Sequence, residues 1–350
     1  MTCTKTLSLK NSKVTAMFDD DDDEEETFVK IHQRTLSEAS TTTKATTISS
    51  TASVTSETSS QELEDEQDVL TTVDLFHYNT SIDDLKQLGY TNIKKVHWIR
   101  HAQGYHNVDN GKNAKSKCCI DAPLTPKGID QCRTLAQAIE SAGPGTPLHD
   151  VRQQTQLVVT SPVTRCVQTT LHSLRPLMVQ NNGHVPPVVA NDSIRETVNF
   201  NCDRRRHIHE IAQDFPQVDF TQACPYDEDN IWETYVERLG DDTAYTQDRE
   251  SAEIYKIADR CRTFFTTWLR DRPEDHVCVC AHATVSRCIF NFGLPSGRTP
   301  TDVPQVLDTR LGDDCQDVPV VNYGHNDELD AYVRKDFENC ELRSMIVAYK

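Results

Sequence analysis

Lys95-Val96-His97-Trp98-Ile99-Arg100-His101-Ala102-Gln103-Gly104 is the stretch from which the rest of the chain is read. Val96-His97-Trp98-Ile99 is a short apolar run that stops at a polar cluster, the pattern of a buried strand delivering side chains to its C-terminal edge. The next element opens with Thr125-Pro126, an N-cap followed by proline at the first helical position. Ile129, Cys132, Leu135, Ala136 and Ile139 follow at helical spacing, and Gly143-Pro144 stops the run. Leu157-Val158-Val159-Thr160 reads as a second strand, with Ser161-Pro162 capping the helix after it. Val188-Val189-Ala190 is a weaker third. Ile254, Ile257, Ala258, Cys261, Phe264, Phe265, Trp268 and Leu269 make an amphipathic helix whose apolar face is core. Val277-Cys278-Val279-Cys280-Ala281 and Met345-Ile346-Val347-Ala348-Tyr349 are two further strands. Strands alternating with helices predict an α/β sheet wound on both faces, with the site at the strand C-terminal edges.

Ahead of this pattern lies a segment of another kind. The 350 residues carry 36 Lys plus Arg against 54 Asp plus Glu, a net charge of −18. Residues 1–70 hold 6 of the bases and 15 of the acids, so a fifth of the chain carries half the excess. They contain no Gly and no Pro, and 17 of the 26 residues from Thr35 to Ser60 are Ser or Thr. Such a composition cannot bury enough apolar surface to offset its ordering entropy, which predicts a disordered tail over 1–72 and one domain over 73–350. Within the tail, Asp19–Glu26 reads as a solubilising or interaction run. Ser59 and Ser60 before Glu62, Glu64, Asp65 and Glu66 fit a kinase target, though a solvated linker is the simpler reading. Structure is expected to begin near Val73–Leu85, with a helix from Ser81.

The net acidity argues against nucleic acid or an anionic membrane as partner, because both need a basic face. No apolar run approaches the length of a membrane helix. Residues 1–18 hold Lys5, Lys10 and Lys13 but no Arg and no apolar core, which excludes a secretory signal. A cytoplasmic location is expected, with an organellar transit peptide the lesser reading. Thirteen cysteines, an odd number, do not form a disulfide framework and imply a reducing compartment. Cys118-Cys119 and Cys278-x-Cys280 lack the spacing of zinc sites, and the second pair is read as small apolar core filler. The oligomeric state is left open.

Three strands end in chemically complementary groups. The first ends in Arg100-His101, the second in Thr160-Ser161-Pro162 with Arg165 one turn into the helix, and a later one in Ala281-His282. Two arginines and two histidines at one sheet edge make an anion site with nucleophile candidates. A phosphate monoester is the anion they best match, because Arg offers a planar fork to the oxygens and a neutral imidazole can attack phosphorus in line. The leaving alcohol needs a proton, and Arg195-Glu196 supplies a carboxyl group, with Asp192 and Glu210 as nearby rivals. His97, His106, His207, His209 and His325 have no comparable partners and are read as surface or structural. Arg204-Arg205-Arg206 fits either a substrate-steering patch or a salt-bridged segment.

Arg100-His101-Ala102-Gln103-Gly104 with Asn107 resembles the R-H-G signature of the histidine phosphatase superfamily, the phosphoglycerate-mutase-like proteins. Asp121-Ala122-Pro123-Leu124-Thr125-Pro126-Lys127-Gly128 is similar to that family's D-A-x-L-T-x-x-G. Thr160-Ser161-Pro162-x-x-Arg165-x-x-Gln168-Thr169 matches S-P-x-x-R-x-x-Q-T, and Arg195-Glu196 with Cys202-Asp203-Arg204-Arg205 matches R-E followed by C-D-R-R. Phe337-Glu338-Asn339-Cys340-Glu341-Leu342-Arg343-Ser344 is similar to an ending common in plant and algal members. The resemblance spans about residues 93–350. It implies a three-layer α/β sandwich with a mostly parallel sheet, requiring no metal and no cofactor. By the same resemblance His101 is the phosphoryl-accepting nucleophile, and Arg100, Arg165 and His282 form the phosphate pocket. Asn107 is an accessory donor, Glu196 the proton donor and later base, and Gln103 and Arg204 further substrate contacts.

Two positions depart from the pattern. Ala102 stands where the family has glycine, and His282-Ala283 where it has H-G or H-S. The leading expectation is a metal-independent phosphatase acting on a small phosphate monoester. A phosphoglycerate mutase on the same fold is the alternative, disfavoured because Asn201–Asp248 does not resemble the mutase segment. A weakly catalytic phosphate-ligand binder, motivated by Ala102 and Ala283, is the third. Neither P-loop nor Rossmann glycine spacing occurs, which leaves out nucleotide-dependent kinases and dehydrogenases.

Overall fold

The computed structural model describes residues 5–9, 12–16, 73–108, 119–179, 185–239, 249–250, 254–291, 320–323 and 326–350. The chain divides into two units, Met1–Gln67 and Asp68–Lys350. In the first, strands β1 (Lys5–Leu9) and β2 (Ser12–Ala16) pair antiparallel, so part of the segment read as disordered carries backbone pairing. The rest of that reading, with the acidic run and the Ser59-Ser60 site, lies outside the described residues.

The second unit opens with β3 (Val73–His77) and α1 (Ile82–Gln87), where the Ser81 hydroxyl accepts from the Asp84 amide as an N-cap. Then come β4 (Asn92–Arg100), α2 (Pro126–Ser141), α3 (Pro147–Gln154), β5 (Leu157–Thr160), α4 (Thr164–Ser173) and α5 (Arg175–Met178). They are followed by β6 (Val188–Asn191), α6 (Ile208–Asp214), β7 (Asp219–Ala223), α7 (Asn230–Leu239) and α8 (Ile254–Thr263). β8 (His276–Ala281), α9 (Ala283–Asn291), β9 (Val321–Asn322), α10 (Asp327–Arg334) and β10 (Leu342–Tyr349) complete the order. No described helix is long and apolar enough to cross a membrane.

The sheet has eight strands in the order β7-β6-β5-β8-β4-β10-β3-β9. All pairings are parallel except those of β10 with β4 and with β3, so β10 alone runs against the rest. Side-chain alternation explains the three layers. Val277, Val279 and Ala281 point into a core with Trp98, Val159, Phe264, Phe265, Val285 and Leu329, which seats α8, α9 and α10. Cys278 and Cys280 point the other way, onto Ile139, Val151, Val167, Leu174 and Ile211 from α2, α3, α4, the α4–α5 junction and α6. Strands buried on both faces need apolar residues at every position, and this is why β5 and β8 read as continuous runs. The ten described cysteines are buried free thiols, with Cys278 and Cys280 acting as core filler.

Three features differ from the sequence reading. Leu75, a core residue in the segment where structure was expected to begin, belongs to a strand of the main sheet. β7 was not anticipated because Asp219-Phe220-Thr221-Gln222-Ala223 buries only Phe220, as suits an edge strand. The amphipathic run continues beyond α8 as a π-helix over Phe264–Leu269.

Candidate active site

Backbone pairing brings the chemistry to one edge. β6, β5, β8 and β4 lie side by side and parallel, so the residues after their C-terminal ends become neighbours. The His101 amide donates to the Ala281 carbonyl at 2.9 Å, and the Ser161 amide donates to Cys280 at 2.9 Å. His101, His282 and Ser161 thus stand in a row, and the His101 and His282 ring centroids are 5.0 Å apart.

His101 is 2% exposed, and its Nδ1 lies 2.7 Å from the Ala102 carbonyl. A carbonyl only accepts, so Nδ1 carries the proton and Nε2 keeps its lone pair. Burial, followed by the charges of Arg165, His106 and Arg100, lowers its pKa well below the ordinary histidine value. The ring is therefore neutral at pH 7, the form that can attack phosphorus. His282 is fully buried, with Nε2 2.8 Å from Ser161 Oγ and 3.3 Å from Cys166 Sγ. Its pKa is also lowered, by burial first and then by Arg165 and His101.

Arg165 sits in the first turn of α4. Its Nη1 donates to the Cys202 carbonyl at 2.6 Å, and its Nη2 is 3.6 Å from Asp203 Oδ1. Ser161 does not cap this helix as expected, because its hydroxyl faces His282. The Asp121 carboxylate takes that place, accepting from the Thr164 amide at 2.7 Å and its hydroxyl at 2.6 Å. The rest of the motif holds loops in place. Thr169 Oγ1 accepts from the Ala102 amide at 3.0 Å and donates to the Arg165 carbonyl at 2.7 Å, and Gln168 Oε1 accepts from Leu124 at 2.8 Å. Arg100 donates from Nη1 to Phe337 at 2.6 Å.

Glu196 follows β6 after a 3-10 turn at Asp192–Ile194. Its Oε1 accepts from the Thr197 amide at 3.0 Å and the Val285 amide at 3.2 Å, so it lies at the N-terminus of α9. Burial raises its pKa and the neighbouring Asp203 adds to that, while Arg165 opposes. A raised carboxyl pKa suits a proton donor. Arg260 of α8 holds the segment in place: Nη1 donates to the Ser193 and Arg195 carbonyls, each at 2.8 Å, and Nε pairs with Glu250 at 3.0 Å. Of the rival acids, Asp192 lies 3.9 Å from Arg195 and 3.5 Å from Arg205.

The remaining predicted contacts are placed as follows. Asn107 Oδ1 accepts from the Gly104 amide at 3.0 Å, which leaves its NH2 as the group on offer. Gln103 and Arg204 make scaffold contacts. Gln103 Oε1 accepts from the Thr125 hydroxyl at 2.9 Å, and Arg204 pairs with Glu233 at 3.1 Å beside the Trp232 ring. Arg205 and Arg206 pair with Asp192 and with Asp121 and Asp214, so the basic run is a salt-bridged segment. Ala102 is fully buried among Leu124, Cys132 and Cys340. The structure also adds residues that sequence reading left aside. His106, expected to be surface or structural, is 8% exposed and its ring lies tilted against that of His101, with centroids 5.3 Å apart. Its place five residues after His101, in the same strand-end loop, was the available signal. Asp203 had stood in a motif without a role.

Away from this edge, His207, His209 and Asp227 have ligand atoms within 4.8 Å of one another, the one set among the described residues able to take a metal ion. Here Asp227 serves the start of α6 instead, accepting from the His209 amide at 2.9 Å and lying 2.7 Å from its Nδ1.

No protein-family model matches the chain. It is 30% identical over 280 residues to phosphoglycerate mutase-like protein 1 of Arabidopsis thaliana, covering 73% of this chain and 81% of that protein. A second Arabidopsis phosphoglycerate mutase-like protein is 29% identical, over 73% of this chain and 84% of its own length. A third, phosphoglycerate mutase-like protein 2, is 28% identical over 73% and 75%. With this sheet and the histidine–arginine edge, the chain belongs to the histidine phosphatase superfamily, among its phosphoglycerate-mutase-like proteins.

Proposed function

We propose that this protein hydrolyses a small phosphate monoester through a phosphohistidine on His101. The observation that carries the reading is the Nδ1 contact to Ala102, which leaves the Nε2 lone pair of a neutral ring beside two guanidiniums. In the first step Nε2 forms a bond to phosphorus while the ester P–O bond breaks. Arg100, Arg165 and His282 take up charge on the equatorial oxygens. The Glu196 carboxyl gives its proton to the leaving alkoxide. In the second step a water attacks phosphorus and loses its proton to Glu196. The P–N bond breaks, its electron pair returns to Nε2, and inorganic phosphate departs.

Ala102 is compatible with this chemistry because its methyl group is packed with Leu124, Cys132 and Cys340. The test is a screen of the full chain against sugar phosphates, phosphoglycerates and nucleotides, with an acid quench to trap the labile phosphoenzyme. Turnover is expected, with label on His101. The variant His101→Ala should lose activity by at least about three orders of magnitude, with its melting temperature kept. A chain that turns over no phosphate monoester and forms no label overturns the proposal. Phosphoglycerate isomerisation that depends on a bisphosphoglycerate primer would replace it with the mutase reading.

A further inference from the structure

His106 is the one histidine of this edge with no task in the reaction above. It is 8% exposed, and Nδ1 is buried without a hydrogen-bond partner among the described residues. A buried ring nitrogen left without a hydrogen-bond partner is costly unless something else completes it. The packing holds the ring in place: a Cβ at Gly104 would stand 2.7 Å from its Nδ1 and 2.9 Å from its Cε1. Glycine at 104 is thus the residue that lets the ring approach the backbone. On its other side the ring is tilted 53° to that of His101, at 5.3 Å. The charged and titratable groups around it are Arg165, Arg100, His101 and His282. Burial and the two arginines lower its pKa well below the ordinary value, so the ring is neutral when the site is empty of anion.

We infer that His106 is a phosphate-contacting residue, donating a hydrogen bond from its imidazole to an oxygen of the phosphoryl group held between Arg100 and Arg165. This rests on the phosphomonoesterase reading and adds a third ring to the anion pocket. A neutral imidazole has one N–H to give, and a phosphoryl oxygen carries lone pairs to receive it. An anion placed between the two guanidiniums also cancels the charge that now opposes protonation of His106. Binding should therefore raise its pKa and draw a fraction of a proton from solution.

The test is calorimetric titration of the full chain with inorganic phosphate, for the wild type, His106→Leu and His106→Gln. Losing a hydrogen bond to a charged acceptor should weaken phosphate binding roughly 10-fold or more in His106→Leu, with part recovered in His106→Gln. Phosphate affinity within twofold of wild type in His106→Leu, with an unchanged melting temperature, overturns the inference. Should His106→Leu not fold, NMR titration of the wild type decides. The His106 ring resonance must move on phosphate addition and its pKa must rise, whereas an unmoved resonance overturns the inference. A wild type that binds no phosphate removes the phosphatase reading and this one together. A wild type that forms phospho-His101, with His106→Leu binding phosphate normally, removes only the role of His106.

Discussion

Arg165 and Arg195 are both buried guanidiniums facing an aspartate, and they do different work. Arg195 gives Nη1 and Nη2 to the two Asp229 oxygens, each at 2.6 Å, and Nη2 also reaches the Asp203 carbonyl at 2.8 Å. Its charge is met by a bidentate carboxylate, so it serves as a clasp between the segment carrying Glu196 and the start of α7. Arg165 has one carbonyl at 2.6 Å and a carboxylate only at 3.6 Å. Positive charge is left over there, and the neutral rings of His101 and His282 feel it. Burial and an acidic partner are common to both regions. What separates scaffold from site is whether the carboxylate completes the charge.

The contrast can be broken from either side. Asp229→Ala should have the largest effect on stability, about 3–5 kcal/mol, because it strands Arg195 as an uncompensated buried charge. Urea unfolding measures it, and a loss under about 1 kcal/mol would deny Arg195 its structural role. Arg165→Lys keeps the charge and loses the fork, so turnover should fall roughly 100-fold, about 3 kcal/mol, with little change in melting. Near-normal turnover in that variant would show that the guanidinium geometry is idle.

Asp203 lies between the two regions, and Asp203→Asn sharpens the comparison. It removes the second cause of the raised Glu196 pKa, after burial, so the alkaline limb of the pH–rate profile should move to lower pH. A limb that stays in place would mean burial alone sets Glu196.

Acidification offers a milder test. His97, His101, His106 and His282 all have folded pKa values below the unfolded value of about 6.5, His97 lowered by burial to about 3. The unfolded chain therefore takes up protons first as pH drops. The stability these rings contribute is complete above about pH 6.5 and is lost as pH falls towards their folded values. Glu196 and Asp203, whose pKa values are raised by burial, act in the opposite direction. Melting temperature should hold from pH 8 to 7 and decline below about 6.5; no decline by pH 5 would contradict the buried neutral histidines. The smallest effect expected is that of Ala102→Gly, about 1 kcal/mol of stability with phosphate affinity within twofold, since the methyl packs against Leu124, Cys132 and Cys340. A large gain in affinity would show that the methyl does intrude on the ligand.

Much of the fold was legible because its strands are buried on both faces. Val96–Ile99, Leu157–Thr160 and Val277–Ala281 have no polar alternation to confuse them, and Thr125-Pro126 and Ser81 announce their helices through local capping chemistry. Asp219–Ala223 was not legible, since a polar edge strand differs little from a loop. His101, His282 and Arg165 could be named because each sits within a residue or one turn of a strand end. His106 was less legible because it follows the strand end by six residues, and only the turn of that loop carries its ring back against His101.

From sequence alone follow the alternation of strand and helix, the strand-end placement of His101, Arg165 and His282, and the superfamily. The alternation and the placement depend on local periodicity and capping, which act over a few residues, and the superfamily rests on the resemblance of the strand-end motifs. Only the tertiary structure decides that Asp121 rather than Ser161 caps α4, that Arg195 is spent on Asp229, and that Arg165 is not spent on Asp203. It also sets the His106 ring beside that of His101. The choices made by Asp121, Arg195 and Arg165 are among partners tens of residues apart, settled by which side chains the packed sheet edge brings within about 3 Å.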